Sequence, residues 1–208
     1  IDYTYYSVTS VRVTNLKTNT LKEIAPSDGR DVSIKITDDN TDNTFTNAYK
    51  PKGGSWTPQV TKKVDGGEMK AFTLELANDE NFTNPEAVTI DPAKAKTDEN
   101  GNATSTVNFN PKNYELKDLE NGSKTFTYYV REKDESSTYP HYKFDQSVYE
   151  IKVVATDNAK GAIDCKVTYK QIQDRDGKPV TNDTDTPTFT NTYSTSLPLS
   201  GMSGVTLT

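Results

Sequence analysis

One cysteine, one histidine, one tryptophan and two methionines in 208 residues leave several chemistries without material. Cys165 has no partner for a disulfide within the chain. His141 has no second histidine with which to share a zinc ion, and no cysteine-rich site replaces it. No run of 18 apolar residues occurs, so no segment reads as a membrane-spanning helix. Positive charge is outweighed, with 24 Lys and Arg against 30 Asp and Glu and a net charge of −6. That balance argues against a nucleic-acid partner, which needs a basic patch or stripe. A Gly-rich phosphate loop and a serine-nucleophile elbow are also missing. The sequence implies no metal and no cofactor. It begins at Ile1-Asp2 without a Met or a signal peptide, so a mature or truncated product is expected.

What is present favours strands. The chain holds 12 Tyr and 7 Phe, with Thr and Val plentiful and Gly, Asn, Asp and Pro recurring as turn formers. The clearest organisational signal is an internal repeat. Thr44-Phe45-Thr46-Asn47-Ala48-Tyr49 returns as Thr188-Phe189-Thr190-Asn191-Thr192-Tyr193, and the pattern of residues 7–13 returns at 147–153. Residues 1–50 therefore read as the final strands of one β-sandwich domain whose beginning is missing, since a sandwich takes about 100 residues. Residues 51–56 carry Pro51, Gly53 and Gly54 and read as a linker. From residue 57 to 194, period-2 alternation predicts about seven short strands and an antiparallel, immunoglobulin-like two-sheet sandwich. A polar insert is expected between Asn78 and Ala103, and a tail over 195–208.

Three of the predicted apolar stripes contain a polar residue. Lys62 stands between Val60 and Val64, Glu132 ends the face of Phe126, Tyr128 and Val130, and Asn191 stands between Phe189 and Tyr193. Each is costly to bury alone. Buried together, desolvation lowers the lysine pKa and raises the glutamate pKa, so both groups can be neutral. A neutral amine is a nucleophile, and a neutral carboxylic acid can polarise an amide carbonyl. The implied reaction is attack of the Lys62 amine on the Asn191 side chain, with Glu132 moving protons and ammonia leaving. It is a single turnover and makes no enzyme of the chain. The bland alternative is that a strand-end lysine snorkels to solvent and that the asparagine marks an edge or bulge.

The stretches Val60–Gly66, Phe126–Glu132 and Thr188–Asn191, in this order and spacing, resemble the streptococcal-type pilin isopeptide-linkage domain. They resemble the B-type repeats of collagen adhesins more distantly. The resemblance covers about residues 57–194, with a tail copy over 1–50. It implies a Lys62–Asn191 bond with Glu132 as catalytic acid, and Asn47 as the bonding residue of the preceding domain. The neighbouring Lys63 should point to the opposite face. Leu197-Pro198-Leu199-Ser200-Gly201 looks like a sortase signal, with Ser200 in place of the usual Thr and cleavage implied before Gly201. A wall-anchored or pilus-borne extracellular protein follows, with sortase and either other pilin subunits or peptidoglycan as partners. Lys178, Lys50 and Lys52 are candidate acceptors for the next subunit. The alternative is a monomeric wall-anchored adhesin that binds a host surface ligand through the insert after Asn78. Two further signals are set aside. Asp174-Arg175-Asp176-Gly177 opens like a calcium loop but lacks its closing glutamate, and Cys165 lies on an apolar stripe and reads as core.

Overall fold

A computed structural model describes residues 6–15, 18, 20–25 and 42–194 of the chain. Strands dominate, and the described residues fall into two compact units. The first gathers the described residues up to Trp56 with Asn113–Lys124 and Val154–Lys166. The second holds Thr57–Lys112, Thr125–Val153 and the described residues from Val167 onward.

The first unit opens with β1 (Tyr6–Asn15), β2 (Thr20–Ile24) and β3 (Asp42–Tyr49). These form an antiparallel sheet in the order β2-β1-β3, in which Val11 pairs with Ile24 on one side and Phe45 on the other. Within the segment expected to be a linker, Gly54–Trp56 is itself a strand, β4. Gly54 is the residue that permits it. A Cβ there would lie 2.6 Å from the Ile163 carbonyl oxygen and 2.8 Å from Cys165 Sγ. The Tyr49 hydroxyl closes the same region, donating to Asp157 Oδ1 at 2.7 Å and accepting from the Gly161 N–H at 3.1 Å.

The remaining strands in chain order are β5 (Gln59–Asp65), β6 (Thr73–Ala77), β7 (Glu86–Thr89) and β8 (Lys96–Thr97). They continue with β9 (Ala103–Asn108), β10 (Lys112–Tyr114), β11 (Ser123–Glu132) and β12 (Tyr142–Lys143). Last come β13 (Val148–Asp157), β14 (Ile163–Gln173), β15 (Pro179–Thr184) and β16 (Thr188–Tyr193). Two sheets make the sandwich, ordered β12-β16-β5-β9-β8 and β15-β14-β13-β11-β6-β7. Described residues 57–194 thus hold twelve strands where alternation predicted seven. The five extra are short or polar: β7, β8, β10, β12 and β15 never offer enough alternating apolar residues to register as a period. Two of them, with a one-turn 3-10 segment at Pro92–Lys94, occupy the expected polar insert.

Alternation fixes which side chains enter the core. Val60, Lys62 and Val64 of β5 are buried, as are Tyr128, Val130 and Glu132 of β11 and Tyr149, Ile151, Val153 and Ala155 of β13. On β14 Ile163 is buried, but Cys165, which reads as core in the sequence, is half-buried, as are Val167 and Tyr169 on the same face. The inner faces meet through aromatic edges: Phe189 meets Tyr149 at 5.3 Å, and Phe72 meets Phe144 at 5.5 Å. The six-stranded sheet also covers part of its outer face. Phe82, held at φ 54° in the loop after β6, joins Ala77 and Tyr129 in a small second cluster. The Arg131 guanidinium lies 4.1 Å from the Phe82 ring centroid.

Candidate functional site

β5 and β16 are the first and last strands of the sandwich, and they pair in parallel, Lys62 beside Phe189 and Val64 beside Asn191. That register puts Lys62, Val64, Phe189 and Asn191 on one face, with Lys62 and Asn191 diagonal neighbours. Glu132 approaches from the facing sheet, at the end of β11 where it pairs with Leu74 of β6. The side chains of Lys62 and Glu132 are both fully buried, and Asn191 is 0% exposed. Lys63 is exposed, on the opposite face.

The polar contacts are specific. Lys62 Nζ donates to Glu132 Oε2 at 2.9 Å and lies 2.8 Å from Oε1. Asn191 Nδ2 donates to the same Oε1 at 2.9 Å. Glu132 therefore touches both the amine and the amide nitrogen. It does not touch the amide oxygen, where a carbonyl-polarising acid was expected to sit. Asn191 Oδ1 instead accepts from the backbone N–H of Asp145 at 2.9 Å. Around this group lie Phe72, Val64, Val130 and Phe189, all buried, and Lys62 Nζ is 5.1 Å from the Phe72 ring centroid.

Burial governs the charges here. It pulls the Lys62 amine down to about 8, against the pull of Glu132 in the other direction. It likewise raises Glu132, against the lowering effects of Lys62 and of the Asn191 hydrogen bond. Both groups thus move toward their neutral forms. In this arrangement one carboxyl oxygen is shared between the Lys62 amine and the Asn191 amide nitrogen, and burial favours the uncharged forms of both the amine and the carboxyl.

Asp145 escaped the sequence reading. It is 5% exposed, its Oδ1 accepts from the Ser147 N–H at 2.9 Å and its Oδ2 from the Thr190 N–H at 2.7 Å. It lies between β12 and β13, where no alternation marks an inward face. The aspartate-to-i+2 spacing to Ser147 is a local turn signature, but nothing in it signals burial.

The other predicted residues are dispersed. Asn47 is on β3, paired with Val8. Lys50, Lys52 and Lys178 are exposed. Lys178 closes the β14–β15 hairpin, where its N–H donates to Asp174 Oδ1 at 2.9 Å and Asp174 also receives the Gly177 N–H on its carbonyl. That is the turn that resembled a calcium loop. Among the described residues no group of three or more His, Cys, Asp or Glu is placed to hold a metal ion. Burial and the neighbouring Asp164 raise the Cys165 thiol, which is free. The Leu197, Pro198, Leu199, Ser200 and Gly201 motif lies outside the described residues.

Among solved structures, a mutant form of the major pilin from Streptococcus pyogenes is similar, with 15% identity and a TM-score of 0.40. The likeness covers 66% of this chain and 50% of that one, so the chain spans about half of that pilin's length. No curated protein matches. Residues 58–194, well over half of the 208, match the FctA family, described as the Spy0128-like isopeptide containing domain. The chain belongs to that family, the streptococcal-type pilin isopeptide domains.

Proposed function

We propose that this chain is part of a surface pilin subunit whose sandwich is stapled by a self-made Lys62–Asn191 isopeptide bond. The observation that carries the reading is the burial of Lys62, Glu132 and Asn191 as one hydrogen-bonded group, with Glu132 Oε1 within 2.9 Å of both nitrogens. In the reaction the Lys62 amine attacks the Asn191 Cγ. A C–N bond to Lys62 forms, the C–Nδ2 bond breaks, and Glu132 passes the proton from the entering to the leaving nitrogen. Ammonia departs, and no co-reactant is consumed. Residues 57–194 act as the stapled domain, and residues 1–50 as the closing strands of a preceding one.

Assembly is the second half of the proposal. Sortase cleaves within the Leu197–Gly201 signal and passes the Ser200 carbonyl to an amine of another subunit or of peptidoglycan. Exposed Lys50, Lys52 and Lys178 are the acceptor candidates. The protein is then extracellular, on the pilus or the wall.

Intact-mass measurement of the recombinant chain tests the staple. The expected result is a mass short by one ammonia, restored in full by Glu132→Ala, with a Lys62–Asn191 cross-link among the proteolytic peptides. A full-length mass in the unsubstituted protein removes the bond from the account.

A further inference from the structure

The geometry points to Asp145 as the group that activates the Asn191 carbonyl: its backbone N–H acts as an oxyanion donor, and its carboxylate is the positioning element that holds that N–H in place. The inference rests on the bond-forming reaction proposed above. It follows from how the Asn191 amide is oriented. Oδ1 receives the Asp145 N–H at 2.9 Å while Nδ2 points to Glu132 Oε1 at 2.9 Å. The opposite orientation would set an NH2 group against an N–H donor and leave a carbonyl facing a carboxyl oxygen, so donor and acceptor chemistry fixes the assignment.

When Lys62 attacks, negative charge develops on Oδ1 as the carbon becomes tetrahedral. Glu132 is committed to the two nitrogens. The Asp145 N–H is the group seen on the oxygen, inside a region where both Asn191 and Asp145 are buried. A fixed donor in a water-poor site gains strength as the oxygen charges, and needs no rearrangement to do so.

The Asp145 side chain explains why the donor stays put. Its Oδ2 is tied at 2.7 Å to the N–H of Thr190, the residue before Asn191 on β16. Its Oδ1 is tied at 2.9 Å to Ser147 at the lead-in to β13. One carboxylate thus clamps the donating peptide to the strand that carries the acceptor. The same charge opposes the chemistry in another way, since it holds the Lys62 amine up and so favours the protonated form. Position and charge therefore make opposite forecasts for a neutral substitute.

The test compares bond formation over time in the full 208-residue chain made by cell-free translation, reading the loss of ammonia by intact mass. An α-hydroxy acid analogue of aspartate at position 145 replaces the backbone N–H with an ester oxygen and keeps the carboxylate. Folding is checked by circular dichroism against the unbonded Glu132→Ala protein. The expected slowing is about a hundredfold, the range seen on removing one oxyanion donor. Asp145→Asn, which keeps the backbone N–H but loses one of the two carboxylate anchors, is expected to be slower by about tenfold. An ester protein that folds and bonds at the normal rate overturns the donor role. Asp145→Asn bonding as fast as the unsubstituted chain, or faster, overturns the positioning role even where the ester protein fails to fold. Absence of ammonia loss in the unsubstituted chain is a different result, and it sinks the bond itself along with this inference.

Discussion

The Lys62 amine and the Glu132 carboxyl sit 2.8 Å apart with no exposed side-chain surface on either. As an ion pair, such an arrangement repays its desolvation poorly; as a route for a proton, the same desolvation is useful, because it moves both groups toward neutrality. A prediction with a definite sign follows. In Lys62→Met, Glu132 keeps the burial that raises its pKa and loses the Lys62 neighbour that lowers it. The folded protein then holds a proton that the unfolded chain releases above 4.5. Stability is fully present below that value and is lost as the pH rises through the higher folded-state value. Urea midpoints for Lys62→Met should therefore be higher near pH 5 than near pH 7.5, by about 1 M or less. In Lys62→Met with Glu132→Leu that difference should vanish. Equal pH trends in the two variants would contradict a proton held by Glu132.

Bond formation itself should show a bell-shaped pH dependence. Its rate should fall in acid as Lys62 is protonated, and fall in alkali as the neutral Glu132 needed beside an unprotonated Lys62 is lost. A rate that climbs without limit into alkali would exclude a protonated Glu132 from the reaction.

Strands are the scale at which most of this protein is legible. Lys62, Glu132 and Asn191 announce themselves because each interrupts an apolar period of two, and the interruption means something only if the strand is regular and one of its faces is buried. Residues without a period around them stay hidden. Asp145 is the clearest case: it acts from a connection, through one carboxylate that receives two backbone N–H groups, and no spacing encodes that. Alternation also cannot say whether anything packs on the stripe it reveals, which is why Cys165 reads as core in the sequence and is half-buried in the fold. Nor does it give the parallel pairing of β5 with β16, since strand neighbours distant in sequence leave no local mark.

That pairing has mechanical meaning. Tension applied at the start of β5 and the end of β16 pulls two hydrogen-bonded parallel strands lengthwise past each other, and a covalent link between Lys62 and Asn191 would carry the tension directly. Thermodynamically, the link would close a ring of about 130 residues, which by analogy with disulfides stabilises by about 5 kcal/mol through the unfolded state. Asn191→Ala, which removes the link and leaves the Lys62–Glu132 pair, should lower the melting temperature by about 15 °C or more. A loss of a few degrees would mean that no ring exists in the unsubstituted protein.

For the whole molecule, the family assignment rests on residues 58–194, and the assembly reading adds the tail and the exposed lysines. Both parts can be separated in cells. A strain whose subunit lacks Leu197–Gly201 should yield no high-mass ladder in wall extracts, while its protein should still be short by one ammonia. A ladder that persists without the pentapeptide would assign polymerisation to another sequence. A strain that yields monomer alone with the pentapeptide intact would favour a wall-anchored adhesin.

The placement of Lys62, Glu132 and Asn191 on β5, β11 and β16 would also set when the proposed ring can close. Until the final strand has docked beside the first, the polypeptide would be an open thread, which a narrow export channel could pass end-first. Closure would thereby be postponed until folding is finished, and a misfolded copy, never bringing those strands together, would stay unlinked and open to proteases. The crosslink would then serve as a record that export and folding had both succeeded.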